Sequence, residues 1–178
     1  MMQKIVFAGF GGQGIMVMGE LLAYSAMLTG KQVTYIPSYG PEMRGGTANC
    51  SIVISDEPIS SPIITEPSIL VAMNGPSLTK FEDSVKPSGI VFVNGSLIKN
   101  EPLRDDIAYI TIDCSGLAKE IMNEKLSNMV MLGALIKKTK MVPVEAVYEA
   151  MDQKFTGGKA RFIPANRKAL GAWTMEEN

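Results

Sequence analysis

Lys4-Ile5-Val6-Phe7-Ala8-Gly9-Phe10-Gly11-Gly12-Gln13-Gly14-Ile15 decides the fold. Its first half is a short β-type run without polar alternation, as expected of a strand covered on both faces. The glycines that follow satisfy G-x-G-x-x-G after a strand and before a helix, the context that a phosphate-cradling turn requires. Glycine admits positive φ and leaves room beside the backbone, and free N–H groups at the helix start favour an anion. Two readings of the turn stand: a tight strand-to-helix connection with close helix packing, or a contact for an anion or a partner. Gln13 is the residue least expected of a purely structural turn.

Working outward, β-rich runs recur at Ile5 to Ala8, Val33 to Ile36, Asn49 to Ile54, Ile69 to Met73, Ile90 to Val93 and Tyr109 to Ile112. Helical spacing separates most of them. The first helix is expected from Gly14 to Leu28, stopped by Gly30, and others over Ser77 to Ser84, Ser115 to Asn123, Ser127 to Lys138 and Val144 to Met151. Pro164 suits the first turn of a last helix reaching Trp173. The alternation predicts right-handed βαβ crossovers and an α/β fold: a three-layer, Rossmann-like domain with a mostly parallel sheet, continuous over residues 1–178.

The chain has 178 residues, 46% of them hydrophobic, enough to bury a core without staples. Lysine and arginine total 17 against 18 aspartate and glutamate, so no broad attraction to nucleic acid or anionic membrane is expected. No apolar run has membrane length, and no charged leader with a cleavage site precedes the first strand. Histidine is absent, which removes Ser-His and Cys-His triads and the commonest nitrogen metal ligand. Cys50 and Cys114 cannot supply the four thiolates of an iron–sulfur cluster. Two solitary cysteines without a secretory signal read as buried apolar residues of a cytoplasmic protein, with a disulfide as the alternative.

A dinucleotide fold closes its second strand with an acid that holds the ribose. Here Val33-Thr34-Tyr35-Ile36 runs into Pro37 instead, and continues through Ser38-Tyr39-Gly40-Pro41-Glu42-Met43-Arg44-Gly45-Gly46-Thr47. Two prolines restrict this loop and three glycines permit unusual turns, so it reads as shaped. Arg44 has a fork of donors suited to carboxylate or phosphate and Tyr39 a hydroxyl; an ordered surface loop with a solvated arginine is the plainer account.

Gly11-Gly12-Gln13-Gly14-Ile15 followed by Ser38-Tyr39-Gly40-Pro41-Glu42-Met43-Arg44-Gly45-Gly46 closely resembles the paired signature of the gamma subunit, or gamma domain, of 2-oxoacid:ferredoxin oxidoreductases. The resemblance continues through Ile69-Leu70-Val71-Ala72-Met73-Asn74 and Gly89-Ile90-Val91-Phe92-Val93-Asn94, to about Trp173. It implies a subunit of an assembly that oxidatively decarboxylates a 2-oxoacid, passes the acyl group to coenzyme A and reduces ferredoxin. Thiamine diphosphate is then held by alpha and beta partners and the iron–sulfur clusters by beta or a ferredoxin-like delta chain, with no cofactor resident on this chain. The gamma domain helps enclose the coenzyme A end of the active site. Gly11, Gly12, Gln13, Gly14, Ser38, Tyr39, Arg44 and Gly45 are the implied contact residues, with no catalytic residue and no metal ligand among them. The indolepyruvate oxidoreductase beta subunit shares the domain type; a compact separate chain looks more like the gamma subunit of a 2-oxoglutarate or branched-chain enzyme. Two other classes stay open, a small nucleotide-dependent oxidoreductase and a stand-alone coenzyme A- or nucleotide-binding regulatory module.

Met16, Met18, Met129 and Met131 read as core packing, with adaptable interfaces as the alternative. Ser127 to Lys138 is apolar nearly all round, hence central to the domain or covered by another chain. Lys137 and Lys138 suit the negative end of that helix. Gly157-Gly158-Lys159-Ala160-Arg161-Phe162-Ile163-Pro164 reads as a connecting loop, and Asn74 and Asn94 as turn formers at the presumed ligand edge.

Overall fold

The computed structural model describes residues 2–38, 47–99, 103–121 and 123–174, Thr47 by its backbone alone. β1 (Met2–Phe10), β2 (Gln32–Ser38), β3 (Thr47–Ser55), β4 (Ile69–Ala72), β5 (Ile90–Asn94) and β6 (Ala108–Ile112) form one sheet in the order β2-β3-β1-β4-β5-β6. All six lie on the expected runs. β1, β4, β5 and β6 are mutually parallel, whereas β3 is antiparallel to both β1 and β2. The sheet is mostly parallel as expected, and the exception at β3 has a simple reason. A parallel neighbour needs a crossover of a dozen or more residues, and only eight residues separate Ser38 from Thr47. The chain turns back instead, and residues 56–68 then carry it past the amino end of β1 to β4.

The helices are α1 (Ile15–Leu28), α2 (Gly75–Phe81), α3 (Cys114–Glu120), α4 (Ser127–Thr139), α5 (Val144–Lys154) and α6 (Ile163–Leu170). Two boundaries differ from expectation. α3 stops short of Asn123, whose side chain accepts from Lys125 N and starts a separate 3₁₀ turn over Glu124–Leu126. α6 ends at Leu170 rather than Trp173, with Gly171 after it. The segment Gly157–Phe162 is an exposed 3₁₀ turn leading into α6, with the Arg161 guanidinium over the Phe162 ring.

Side chains alternate across β1. Ile5 and Phe7 enter a large apolar cluster with α1, α3, α4, α5 and α6, while Val6 and Ala8 enter a smaller one with α2 and Ile98 and Ile107. Both faces of β1 are thus buried, which is why its sequence lacks polar alternation. Each fully buried large side chain of this kind contributes about 1.5–3 kcal/mol. Met129 to Ile136 of α4 are all buried, because α4 lies among α1, α3 and α6 and against β5. That apolar run is core, and no second chain is needed to cover it. Met18, Met129 and Met131 are core as well. Among the described residues no helix is long and apolar enough to cross a membrane.

Candidate functional site

β1 and β4 are parallel neighbours whose carboxyl ends send the chain apart, β1 into α1 on one face and β4 into α2 on the other. The gap between two such ends is where open α/β sheets bind ligands. The glycine-rich turn occupies it. Gly12 and Gly14 have φ of 94° and 73°, and a Cβ on Gly14 would lie 2.8 Å from Asn128 Cγ, so at Gly14 both conformation and space demand glycine.

Gln13 makes the turn more than a bend. Its Oε1 accepts from Phe10 N at 2.6 Å and from Asn74 Nδ2 at 3.1 Å, and its Nε2 donates to Met73 O at 3.3 Å. Asn94 Nδ2 donates to the same carbonyl at 3.3 Å. Asn74 Oδ1 accepts from Ser77 N at 2.9 Å, capping α2, and Asn94 Oδ1 accepts from Ser96 N at 3.3 Å. Three carboxamides therefore tie the carboxyl ends of β1, β4 and β5 together around one carbonyl. Asn74 and Asn94 are 2% and 1% exposed, so these bonds satisfy groups that water does not reach.

A polar cavity of about 180 Å³ opens beside this network, lined among others by Gly12, Gln13, Asn94, Ser115, Lys125 and Asn128. α1 follows Gly14 without a side-chain cap, which leaves backbone N–H groups at that helix end beside the cavity, whereas α4 runs on from the 3₁₀ turn Glu124–Leu126, whose Glu124 O accepts from Ser127 N. Asn128 Nδ2 reaches Gly14 O at 3.5 Å and holds the start of α4 against the turn. Amides, hydroxyls and Lys125, with the Glu124 carboxylate beside them, equip this crevice to bind and orient a polar group.

Of the residues singled out in the sequence, Gly11, Gly12, Gln13 and Gly14 stand together here. Ser38 is exposed at the end of β2, paired with Asn49. Tyr39, Arg44 and Gly45 lie outside the described residues. Their segment leaves from Ser38 and returns at Thr47, which pairs with Phe10 immediately before the glycine turn. Asn128 carried no sequence signal, and Asn74 and Asn94 showed only as strand-end turn formers. Met73 O, the carbonyl that Gln13 and Asn94 share, comes to both through the pairing of adjacent strands.

Cys50 and Cys114 are free, buried thiols, not a disulfide. Burial, with Glu20 nearby, pushes Cys50 up to about 12; burial beside Asp113 does the same to Cys114. Neither is equipped to act as a thiolate near neutral pH. Among the described residues no group of three or more Cys, Asp or Glu side chains is placed to hold a metal ion. The ribose site of a dinucleotide fold also lacks its frame, because β3 separates β2 from β1.

Residues 4–172 match the family model described as pyruvate ferredoxin/flavodoxin oxidoreductase. The 2-oxoglutarate synthase subunit KorC of Methanocaldococcus jannaschii is 37% identical over 154 residues, covering 85% of this chain and 82% of that protein. The ketoisovalerate oxidoreductase subunit VorA of Methanothermobacter marburgensis is 35% identical over 95% of this chain, which spans only 35% of VorA. Among solved structures, the gamma subunit of a keto/oxoacid ferredoxin oxidoreductase from Geobacter sulfurreducens superposes with a TM-score of 0.81 at 29% identity, over 96% of this chain and 95% of that one. The 2-oxoglutarate:ferredoxin oxidoreductase of Magnetococcus marinus, solved with 2-oxoglutarate, coenzyme A and succinyl-CoA bound, gives 0.85 at 26% identity, over 96% of this chain and 30% of that one. Glycine turn, strand order and comparisons agree: the chain belongs to the pyruvate ferredoxin/flavodoxin oxidoreductase family, in which it corresponds to the gamma-subunit domain.

Proposed function

We propose that residues 1–178 act as the single gamma domain of a multi-subunit, cytoplasmic 2-oxoacid:ferredoxin oxidoreductase converting a 2-oxoacid and coenzyme A to acyl-CoA, carbon dioxide and reduced ferredoxin. In this reading the glycine turn, Ser38, Tyr39, Arg44 and Gly45 help enclose the coenzyme A end of a shared active site. The observation that carries it is the polar crevice at the β1–β4 switch point, flanked by the uncapped start of α1 and by Lys125. Such donors suit the amides and phosphates of coenzyme A. The Magnetococcus marinus relative with bound coenzyme A supports the same reading. Relatives named for 2-oxoglutarate and for ketoisovalerate make 2-oxoglutarate or a branched-chain acid the preferred substrate.

The residues present do not fit an iron–sulfur cluster, since two buried cysteines and no histidine give no ligand set. Clusters and thiamine diphosphate are assigned to alpha, beta and delta partners, and the isolated chain is expected to be inactive. Pull-down of the tagged chain from its native cells, with mass spectrometry and a methyl viologen assay on several 2-oxoacids with coenzyme A, tests the assembly. In the active complex Arg44→Ala should raise the KM for coenzyme A about tenfold, the scale of one lost charge-assisted contact, with assembly unchanged. Wild-type kinetics for that variant would remove Arg44 from the site. A clean monomer that binds a dinucleotide would overturn the whole reading.

A further inference from the structure

A second cavity, of about 610 Å³, opens where α4 and α6 end and α5 begins. Lys137 lies nine residues beyond Asn128 on α4, about 14 Å further along the helix axis, so this cavity is separate from the polar crevice. Its size falls within the range of small-molecule sites, roughly 300–1,000 Å³. Ile136, Val142 and Leu170 line it as buried apolar residues, and Lys137 and Lys140 stand at it as exposed cations.

The walls are preformed. Gly133 lets the backbone at Leu170 approach α4 closely. The Tyr148 ring is backed by the Arg167 guanidinium at 4.9 Å, and Arg167 is held in turn by both oxygens of Asp152 at 2.8 and 2.6 Å. The charge is of one sign: no carboxylate lines the cavity, and neither lysine meets one among the described residues. Lys140 also adopts φ 51° at the end of α4, a conformation that favours glycine. The fold holds an ammonium group where its backbone would be easier without one.

We propose that this cavity is a binding site for a small amphipathic carboxylate, with a medium-length aliphatic chain against the apolar floor and the carboxylate between Lys137 and Lys140. The proposal does not depend on the function of the polar crevice. Calorimetric titration of the full chain with octanoate, octan-1-ol and acetate tests it. Expected are saturable octanoate binding with Kd below about 1 mM, octanol binding at least about tenfold weaker, and no acetate binding. Lys140→Gly relieves the backbone, so the fold is preserved, and it should bring octanoate down to the octanol level. Val144→Trp, filling the cavity, should abolish both. Absent saturation, equal affinity for octanoate and octanol, or undiminished binding by either variant overturns the proposal. Octanoate bound by the free chain but excluded from the assembled complex overturns it too, because a partner subunit then covers the cavity.

Discussion

Gln13→Met keeps the length of the side chain and deletes its bonds to Phe10 N, Asn74 Nδ2 and Met73 O. At about 0.5–1.5 kcal/mol net for each hydrogen bond, the range is roughly 1.5–4.5 kcal/mol. The lower half applies, since Gln13 is only half-buried and Met73 O keeps Asn94. A loss of about 2 kcal/mol corresponds to a fall in Tm of about 4–8 °C in a domain of this size. Gln13→Glu separates the acceptor from the donor. It retains an oxygen for Phe10 and Asn74 but turns a carboxylate toward Met73 O, which raises the folded-state pKa of the new acid above its unfolded value of about 4.3. Its protonated form can donate to Met73 O. The stability that proton confers is fully present below the unfolded pKa and is lost as pH rises through the folded pKa. Urea denaturation of both variants and the wild type between pH 4 and 8 reads these effects. Gln13→Met within about 0.5 kcal/mol of wild type, or Gln13→Glu parallel to wild type across that range, would refute the latch.

Gly133→Ala sets a Cβ 2.7 Å from Leu170 C and 2.8 Å from Leu170 Cα, both backbone atoms. Overpacking of about 1–3 kcal/mol then outweighs the helix-propensity gain of about 1 kcal/mol, and thermal melts should show net destabilisation despite the better helix former. Cys50 and Cys114, each pushed up to about 12, stay protonated in the fold at pH values where unfolded thiols ionise. Their contribution is complete below an unfolded pKa of about 8.5 and lost as pH climbs toward 12, at up to about 1.4 kcal/mol per pH unit for each thiol. Denaturation between pH 8 and 11 should steepen accordingly, and the slope should flatten in Cys50→Ala; an unchanged slope in that variant would argue against the buried thiol as its source.

Strand positions and the start of α1 were legible because they rest on local signals: unbroken apolar runs such as Ile5 to Ala8, and glycine at Gly14. Boundaries slipped where a polar side chain had two local roles. Asn123 reads equally as the end of α3 and as the cap of the next turn, and local sequence does not choose between them. Gln13 stood out by residue type, but its partners at Met73 and Asn74 lie sixty or more residues away, set by the pairing of β1 with β4. The crevice was legible as an edge and not as a network. Only the register of three strands brings Gln13 and Asn94 to one carbonyl and Asn74 to Gln13.

The reversal of β3 has a structural consequence that a uniformly parallel sheet would lack. Had β2 lain beside β1, the segment after Ser38 would have left the carboxyl edge through a crossover. With β3 interposed and antiparallel, the chain must come back to the edge it left, and register returns it at Thr47 opposite Phe10. The glycine turn and the arginine-bearing segment are thereby tied to the same few residues of sheet, although thirty positions separate Gly14 from Arg44. In the proposed site, adjacency of their anchors is what lets two motifs so far apart act together. It also sets what a perturbation there should do: loosening the β1–β3 pairing at Phe10 and Thr47 disturbs both motifs at once, whereas a change at Asn94 acts through Met73 O and Ser96 and leaves that pairing in place.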